Sequence, residues 1–158
     1  MNLTRAMSTT HVLLRIVAGF LFTQHGAQKL FGWFGEPGGA PREPVALMTL
    51  MGLAAVLEFY GGIAIALGLL TRPVAFLLSG QMAVAYLMAH QPRGAWPIQN
   101  HGESAVLFSF IFLFFAAQGA GGFSLDALVQ RVRGRSGVML PRAARLVEPR
   151  PVPSPTPL

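Results

Sequence analysis

The chain has 158 residues, of which 53% are hydrophobic and 11% charged, with 12 Lys and Arg against 6 Asp and Glu. Soluble domains carry about 25% charged residues, so this chain lacks the polar surface to cover a globule in water and reads as an integral membrane protein of one domain's length. Cysteine is absent, which excludes disulfides, thiol redox chemistry, Cys-ligated clusters and Cys nucleophiles. The net charge of +6 does not indicate nucleic acid, because six of the twelve basic residues fall at or after Arg131, beside apolar segments, where orientation in a bilayer requires them.

Residues 1–10 are a short polar lead. Arg15 interrupts the apolar run that follows and no small-x-small pattern precedes Gln24 or Gln28, so the segment is expected to stay as an anchor rather than be cleaved. A bilayer-spanning helix needs about 20 apolar residues. His11 to Phe34 meets that length, and residues 35–46, with three prolines and three glycines, form a loop. Leu47 to Leu70 is a second span with one charge, Glu58. Thr71-Arg72-Pro73 makes a turn, with Pro73 suited to the first position of a third span running to about Ala89 and enclosing Gln81. Residues 90–103 form a second long loop, and Ser104 to Ala120 is a fourth, shorter span. Ser124 can cap an amphipathic piece from Leu125 to Arg133, placed on the membrane surface by Leu125, Leu128, Val129 and Val132 on one side. The expected architecture is thus all-α: an integral membrane four-helix bundle over 1–130, then a basic, Pro-rich tail over 131–158 that is expected to be disordered.

Four spans place both termini on one side. Arg5, Arg72, Arg131, Arg133, Arg135, Arg142, Arg145 and Arg150 lie on that side, against only Arg42 and Arg93 on the other. The asymmetry predicts cytoplasmic termini, with Trp33 and Trp96 in the outer interfacial belt.

Arg15, Phe22, His25 and Lys29 share one helical face, flanked by Ala18, Gly19 and Gly26. Helix two offers a matching small face at Gly52, Ala55, Gly62 and Ala66, with Glu58 at its border. In an antiparallel hairpin Glu58 is expected level with about Phe22, with Arg15 and Lys29 each roughly 10 Å away along the axis. An unpaired charge at mid-span costs about 2.5–3.5 kcal/mol on insertion scales, so pairing or protonation of Glu58 is expected. Glu58 with Arg15 (the candidate intramembrane ion pair) or with Lys29 can fix helix register, and Glu58 can equally be a functional carboxylate. The outer loops bring His90, Asn100, His101 and Glu103 to the face of His25, Gln28 and Lys29. Asn100 and Glu103 have the spacing of a helix capping box. The candidate ligand site is therefore His25, Gln28, Lys29, Glu58, His90 and Glu103. His25, His90 and His101 have no metal-ligand spacing, so no metal is assigned, and Phe108, Phe110, Phe112, Phe114 and Phe115 read mainly as lipid-facing packing. Walker, dinucleotide, GxSxG and zinc motifs are absent from the sequence.

Three stretches, LLRIVAGFLFTQHGAQKLFGWFG, LEFYGGIAIALGLLTRPVAF and NHGESAVLFSFIFLFFAAQGAGGFSLDAL, carry His25-Gly26-x-Gln28-Lys29-Leu30, Glu58 with Gly61-Gly62, Gly68-Leu69-x-Thr71-Arg72-Pro73, and Gly102-Glu103 in order. Together they resemble the DoxX family of small bacterial membrane proteins, over roughly residues 11–128. The resemblance implies four transmembrane helices in a bacterial inner membrane and an association with quinone-linked oxidoreductase systems, including sulfur oxidation and thiol stress. With no cysteine and no redox cofactor motif, any redox role needs a quinone or a partner oxidoreductase to carry electrons; the chain's own catalysis is left open. Three readings follow: a quinone-binding subunit whose His25, Lys29, His90 and Glu103 meet the ring; a non-catalytic scaffold that recruits a partner through its basic tail; and a small proton-coupled transporter using Glu58 and Arg15, acting as a homo-oligomer.

Overall fold

The computed structural model describes residues 2–35 and 43–136. Helix α1 runs from Leu3 to Phe31, starting well before the apolar segment does. Its first turn is closed by the Asn2 side chain, which accepts from the Thr4 amide at 3.2 Å, so the polar lead is a helical extension and not a separate coil. Gly32, at φ 69°, ends it in a left-handed cap. Helix α2 (Leu50–Leu67) opens on Thr49, whose hydroxyl accepts from the Gly52 amide at 3.0 Å, and closes on Gly68 at φ 68°.

Helix α3 spans Thr71–Ala85 and continues through a π-helical turn at Tyr86–His90 and a 3₁₀ turn at Gln91–Arg93. It begins at Thr71, so Pro73 is its third residue and not its first; the missing proline N–H still falls among the first-turn donors that have no intrahelical acceptor. One short turn, α4 (Pro97–Asn100), precedes α5 (Glu103–Gln118), and α6 follows at Leu125–Ser136. The expected tail over 131–158 thus begins as helix, residues 131–136 belonging to α6, and its remainder from 137 lies outside the described residues.

Backbone contact between α1 and α2 sets the register of the bundle. A Cβ on Gly62 would sit 2.6 Å from the Thr23 amide nitrogen, and one on Gly26 would strike the backbone of Phe59. Small residues permit this approach, and in lipid, where burial of apolar surface drives little, such contact is what holds helices together. Glu58 therefore lies beside Gly26, one turn nearer to Lys29 than the expected position level with Phe22. Helices α3 and α5 pack as a second pair, joined by a reciprocal clasp: the Ser79 hydroxyl donates to the Ser109 carbonyl at 2.9 Å, and the Ser109 hydroxyl to the Ser79 carbonyl at 3.2 Å.

The core joining the two pairs is small and lies around Ala18, Phe22, Ile65, Leu78, Phe112 and Phe115. Phe22 meets Phe112 edge-on at 4.7 Å between centroids. The aromatic run of α5 thus divides: Phe112 and Phe115 are fully buried, while Phe110 and Phe114 face outward. The exterior is apolar along the helices, and the interior holds Arg15, Glu58, Thr71 and Ser79. That inversion is expected of a bundle solvated by hydrocarbon.

At the end where α6 begins, Arg15 is bonded to carbonyls. Its Nη1 donates to Ala120 O at 2.6 Å and its Nη2 to Phe123 O at 2.9 Å. Arg15 and Glu58 consequently do not form the candidate ion pair. Nearby, Asp126 at the start of α6 caps α3 across the chain, accepting from the Leu70 amide at 2.8 Å and the Thr71 amide at 2.9 Å. Burial pushes the Asp126 carboxyl up, but the amide donors of Thr71 and Leu70 and the Arg15 charge outweigh it and hold the carboxyl below the 3.8 of a free aspartate.

Two predictions follow from this packing. Gly62→Ala forces the α1 and α2 backbones apart and lowers stability by about 1–3 kcal/mol, read as a fall in the unfolding midpoint in detergent. The Asp126 latch has its lower pKa in the folded state, so it is complete at neutral pH and is lost only as pH falls through that lowered value. Amide exchange at Leu70 and Thr71, corrected for intrinsic rates, is expected to stay slow from pH ~8 to ~5 and to quicken about fivefold in Asp126→Asn, the effect of losing a cap worth about 1 kcal/mol.

Candidate functional site

At the end of the bundle that carries the long loops, α1, α2, α3 and α5 enclose a cleft of about 1000 Å³. Its walls are mostly apolar, with Phe22, Leu53, Leu57, Phe76, Met82 and Phe108 among them. Three of its polar groups meet in one cluster, Lys29 from α1, Glu58 from α2 and Gln81 from α3, and His25, Thr49, Ser79, His90 and Ser104 also line it. Lys29 Nζ lies 2.6 Å from Glu58 Oε1, and the Gln81 side-chain amide donates to the same oxygen and to the Ala54 carbonyl, both at 3.2 Å. Glu58 is 2% exposed and Lys29 30%, so the carboxylate is interior and the ammonium reaches it from the cleft edge.

Two oxygens of this cluster, Glu58 Oε2 and Gln81 Oε1, are buried without a hydrogen-bond partner. The orientation of the Gln81 amide follows from its Nε2 bonds to two acceptors, which leave its oxygen free. Buried acceptors are usually satisfied, and an exception calls for an explanation.

The expected site residues separate on inspection. His25 lines the cleft, edge-on to Phe108 at 6.1 Å. His90 also lines it, with its Nδ1 3.1 Å from the Asn100 carbonyl and its ring stacked on Tyr86 at 6.4 Å. Gln28 turns elsewhere: its Nε2 donates to Phe34 O at 3.0 Å and holds the chain where it leaves α1. Glu103 is exposed at the start of α5 and is not part of the cleft wall; its charge suits a helix N-terminus.

The capping box is not formed. Gly102 is the cap residue of α5, and Asn100 instead organises the preceding loop, accepting from the Gly102 amide and donating to the Gly94 carbonyl, each at 2.9 Å. His25, His90 and His101 do not converge; among the described residues no group of three His, Cys, Asp or Glu is arranged to hold a metal. Trp33 and Trp96 are more than half exposed and neither lines the cleft, so tryptophan emission does not report on it directly. Glu58 and Arg15, the residues of the transporter reading, are engaged at opposite ends of the bundle.

Gln81 is the site residue that sequence reasoning left out. Its signal was a lone amide inside an apolar span; its significance depends on which helix it faces, which periodicity along α3 alone does not give.

Among the described residues three helical segments, Leu3–Phe31, Leu50–Leu67 and Thr71–Arg93, are long and apolar enough to cross a membrane, and the shorter apolar helix Glu103–Gln118 packs beside the third. With its apolar exterior and paired charges inside, the molecule is a helical integral membrane protein. It belongs to the DoxX family, whose model matches residues 10–91. An uncharacterized protein of Haemophilus influenzae is 40% identical over 119 residues, a match covering 72% of this chain and 85% of the relative. No solved structure matches the chain.

Removing one member of the buried pair leaves the other uncompensated, at a cost of about 3–5 kcal/mol for a buried pair in water-soluble proteins. Lys29→Met and Glu58→Gln are each expected to lower the unfolding midpoint in detergent sharply, and the double variant Lys29→Met/Glu58→Gln to recover most of the loss. A double-mutant cycle with no coupling would show that the pair carries no structural weight.

Proposed function

We propose that the protein is a small membrane subunit of a quinone-linked oxidoreductase system, and that the cleft holds the ring of a tailed, quinone-like molecule with its oxygen toward Lys29, Glu58 and Gln81. The observation that carries this reading is a mostly apolar cleft of about 1000 Å³ with the Lys29, Glu58 and Gln81 cluster in its wall. Ligand sites have that composition: apolar walls for area, a few convergent polar groups for orientation. Lys29, partly exposed, can donate to a ring oxygen, and His25 and His90 stand in the same wall as proton-exchanging groups. Electrons pass to or from a partner protein, because the sequence contains no cysteine and no cofactor motif. The excess of basic residues on the terminal side supports cytoplasmic termini, and the family supports a bacterial inner membrane as the setting.

A second reading, a scaffold without a ligand, is favoured by α6. Leu128 and Val132 are more than half exposed there, with Arg131 and Arg133 beside them, a surface suited to a partner or to anionic lipid.

One titration separates the two. A decyl-substituted benzoquinone is added to detergent-solubilised protein, and bound ligand is counted after subtracting an equal quantity of empty micelles. Saturable binding is expected, weakened about tenfold or more in Gly80→Phe. A side chain at Gly80 meets nothing within 4 Å, so the ring enters the cleft without backbone strain. Uptake that is linear and identical in both proteins would refute the ligand site. A scaffold would instead keep its behaviour in Gly80→Phe and lose its partner in Arg131→Glu/Arg133→Glu, which leaves the Asp126 latch in place.

A further inference from the structure

Leu125, Leu128, Val129 and Val132 recur in α6 at the spacing of one helical face, and Arg131 and Arg133 fall on its two borders. The first turn of the helix fixes which way that face points. The Asp126 amide donates to Gly68 O at 2.9 Å, and the Asp126 carboxylate accepts from the Leu70 and Thr71 amides, so the opposite, polar side of α6 is turned to the bundle. Ala127 and Gln130 follow Asp126 on that side and line a recess with Leu70, Arg72 and Gln118. The apolar face is left outside: Leu128 is 56% exposed, Val132 58%, and Phe123, just ahead of the helix, 92%. A helix seated on a protein core shows the reverse arrangement.

Charge at this end is one-sided. Arg72, Arg131 and Arg133 are exposed, and among the described residues the Lys29–Glu58 pair is the one salt bridge. Asp126 is the one acidic residue described at this end, and both its oxygens are taken by amides. We propose that α6 is a membrane-interface helix that selects anionic phospholipid: its apolar face and the Phe123 ring enter the acyl boundary, and Arg72, Arg131 and Arg133 receive the head-group phosphates. The occupant of this surface has to be apolar and anionic within the width of one helix, and the interface of an acidic bilayer is both. Arginines on the borders of an apolar face reach back to the head groups while their stems stay with the chains, and the guanidinium fork matches a phosphate. An acidic protein would answer the arginines and leave Phe123 in water. The inference names an occupant for the α6 surface and is independent of what fills the cleft.

A reporter at the start of the helix tests it. Phe123→Trp is made in a chain whose own indoles are removed by Trp33→Phe and Trp96→Phe, and the full chain is reconstituted in vesicles of phosphatidylcholine with a minority of phosphatidylglycerol. Bromine is carried on the acyl chains of one lipid or the other at equal bromine content, and quenching of the indole emission counts the lipids around it. Each arginine near an anionic surface contributes about fivefold to partition, so phosphatidylglycerol is expected to be enriched about fivefold or more around the indole. The enrichment should fall to about twofold or less in Arg72→Gln/Arg131→Gln/Arg133→Gln. It should fall likewise in about 0.5 M salt, which shortens the reach of exposed charge.

No quenching by either lipid would overturn the proposal and give the surface to a partner protein. Equal quenching by both would overturn the choice of anionic lipid and leave a plain apolar anchor. A preference retained in the triple variant would overturn the assignment to the three arginines. Their side chains form no hydrogen bond among the described residues, so the variant is expected to keep its parent's unfolding midpoint in detergent, and a lost preference is then read from folded protein.

Discussion

One carboxylate inside hydrocarbon constrains the whole molecule. Glu58 cannot sit among apolar helices without a cation, and Lys29 supplies it at 2.6 Å. The pair forms only if α1 and α2 are held at one relative height, and Gly26 against the backbone of Phe59 fixes that height. The two features reinforce each other: the glycine contact places Lys29 one turn from Glu58, and the ion pair penalises any slip along the seam. Gln81 then ties α3 to the same carboxylate oxygen. Three helices are thus indexed to one atom, and the cleft is the space their apolar faces leave beside it.

The opposite end of the bundle resolves its buried charge differently. Arg15 is matched by the carbonyls of Ala120 and Phe123, at the turn where α5 ends. Both carbonyls belong to the turn just past the C-terminus of α5, and the partial negative charge of that helix end also favours a cation there. Asp126 completes the arrangement by capping α3. Here long-range hydrogen bonds knit α1, α3, α5 and the start of α6, while Arg15 Nε and Thr71 Oγ1 are buried without a partner. At the cleft end Glu58 Oε2 and Gln81 Oε1 are likewise buried without a partner.

Much of the fold was legible because hydrocarbon imposes a coarse rule: long apolar runs become helices. The positions of all four apolar helices follow from it, with ends displaced by a few residues. The start of α1 escaped because the rule marks where lipid begins, not where helical hydrogen bonding begins, and residues 3–10 are polar yet helical. The partner of Glu58 was ambiguous because a helical wheel gives direction and not height, so Arg15 and Lys29 looked equidistant until the glycine contact fixed the register. Glu103 and Gln28 were placed at the site by topology alone, and each is engaged or exposed elsewhere. Asp126 lies 55 residues beyond the Thr71 amide it caps, a contact no local pattern announces. The aromatic run of α5 divides between core and lipid because alternate phenylalanines fall on different faces.

The walls of the cleft have a further implication. Leu53, Phe76, Leu77 and Val84 line it, and each is about half exposed or more on the outside of the bundle. The opening therefore gives sideways onto the acyl chains and not only onto water. A tailed molecule arriving by that route is already dissolved in the membrane, and its effective concentration is a mole fraction of lipid. Each methylene added to such a tail contributes about 0.8 kcal/mol to partition into the bilayer. Lengthening the tail would thus raise occupancy at a fixed aqueous dose without any new contact to the protein, and discrimination between head groups would be visible only when tails are matched.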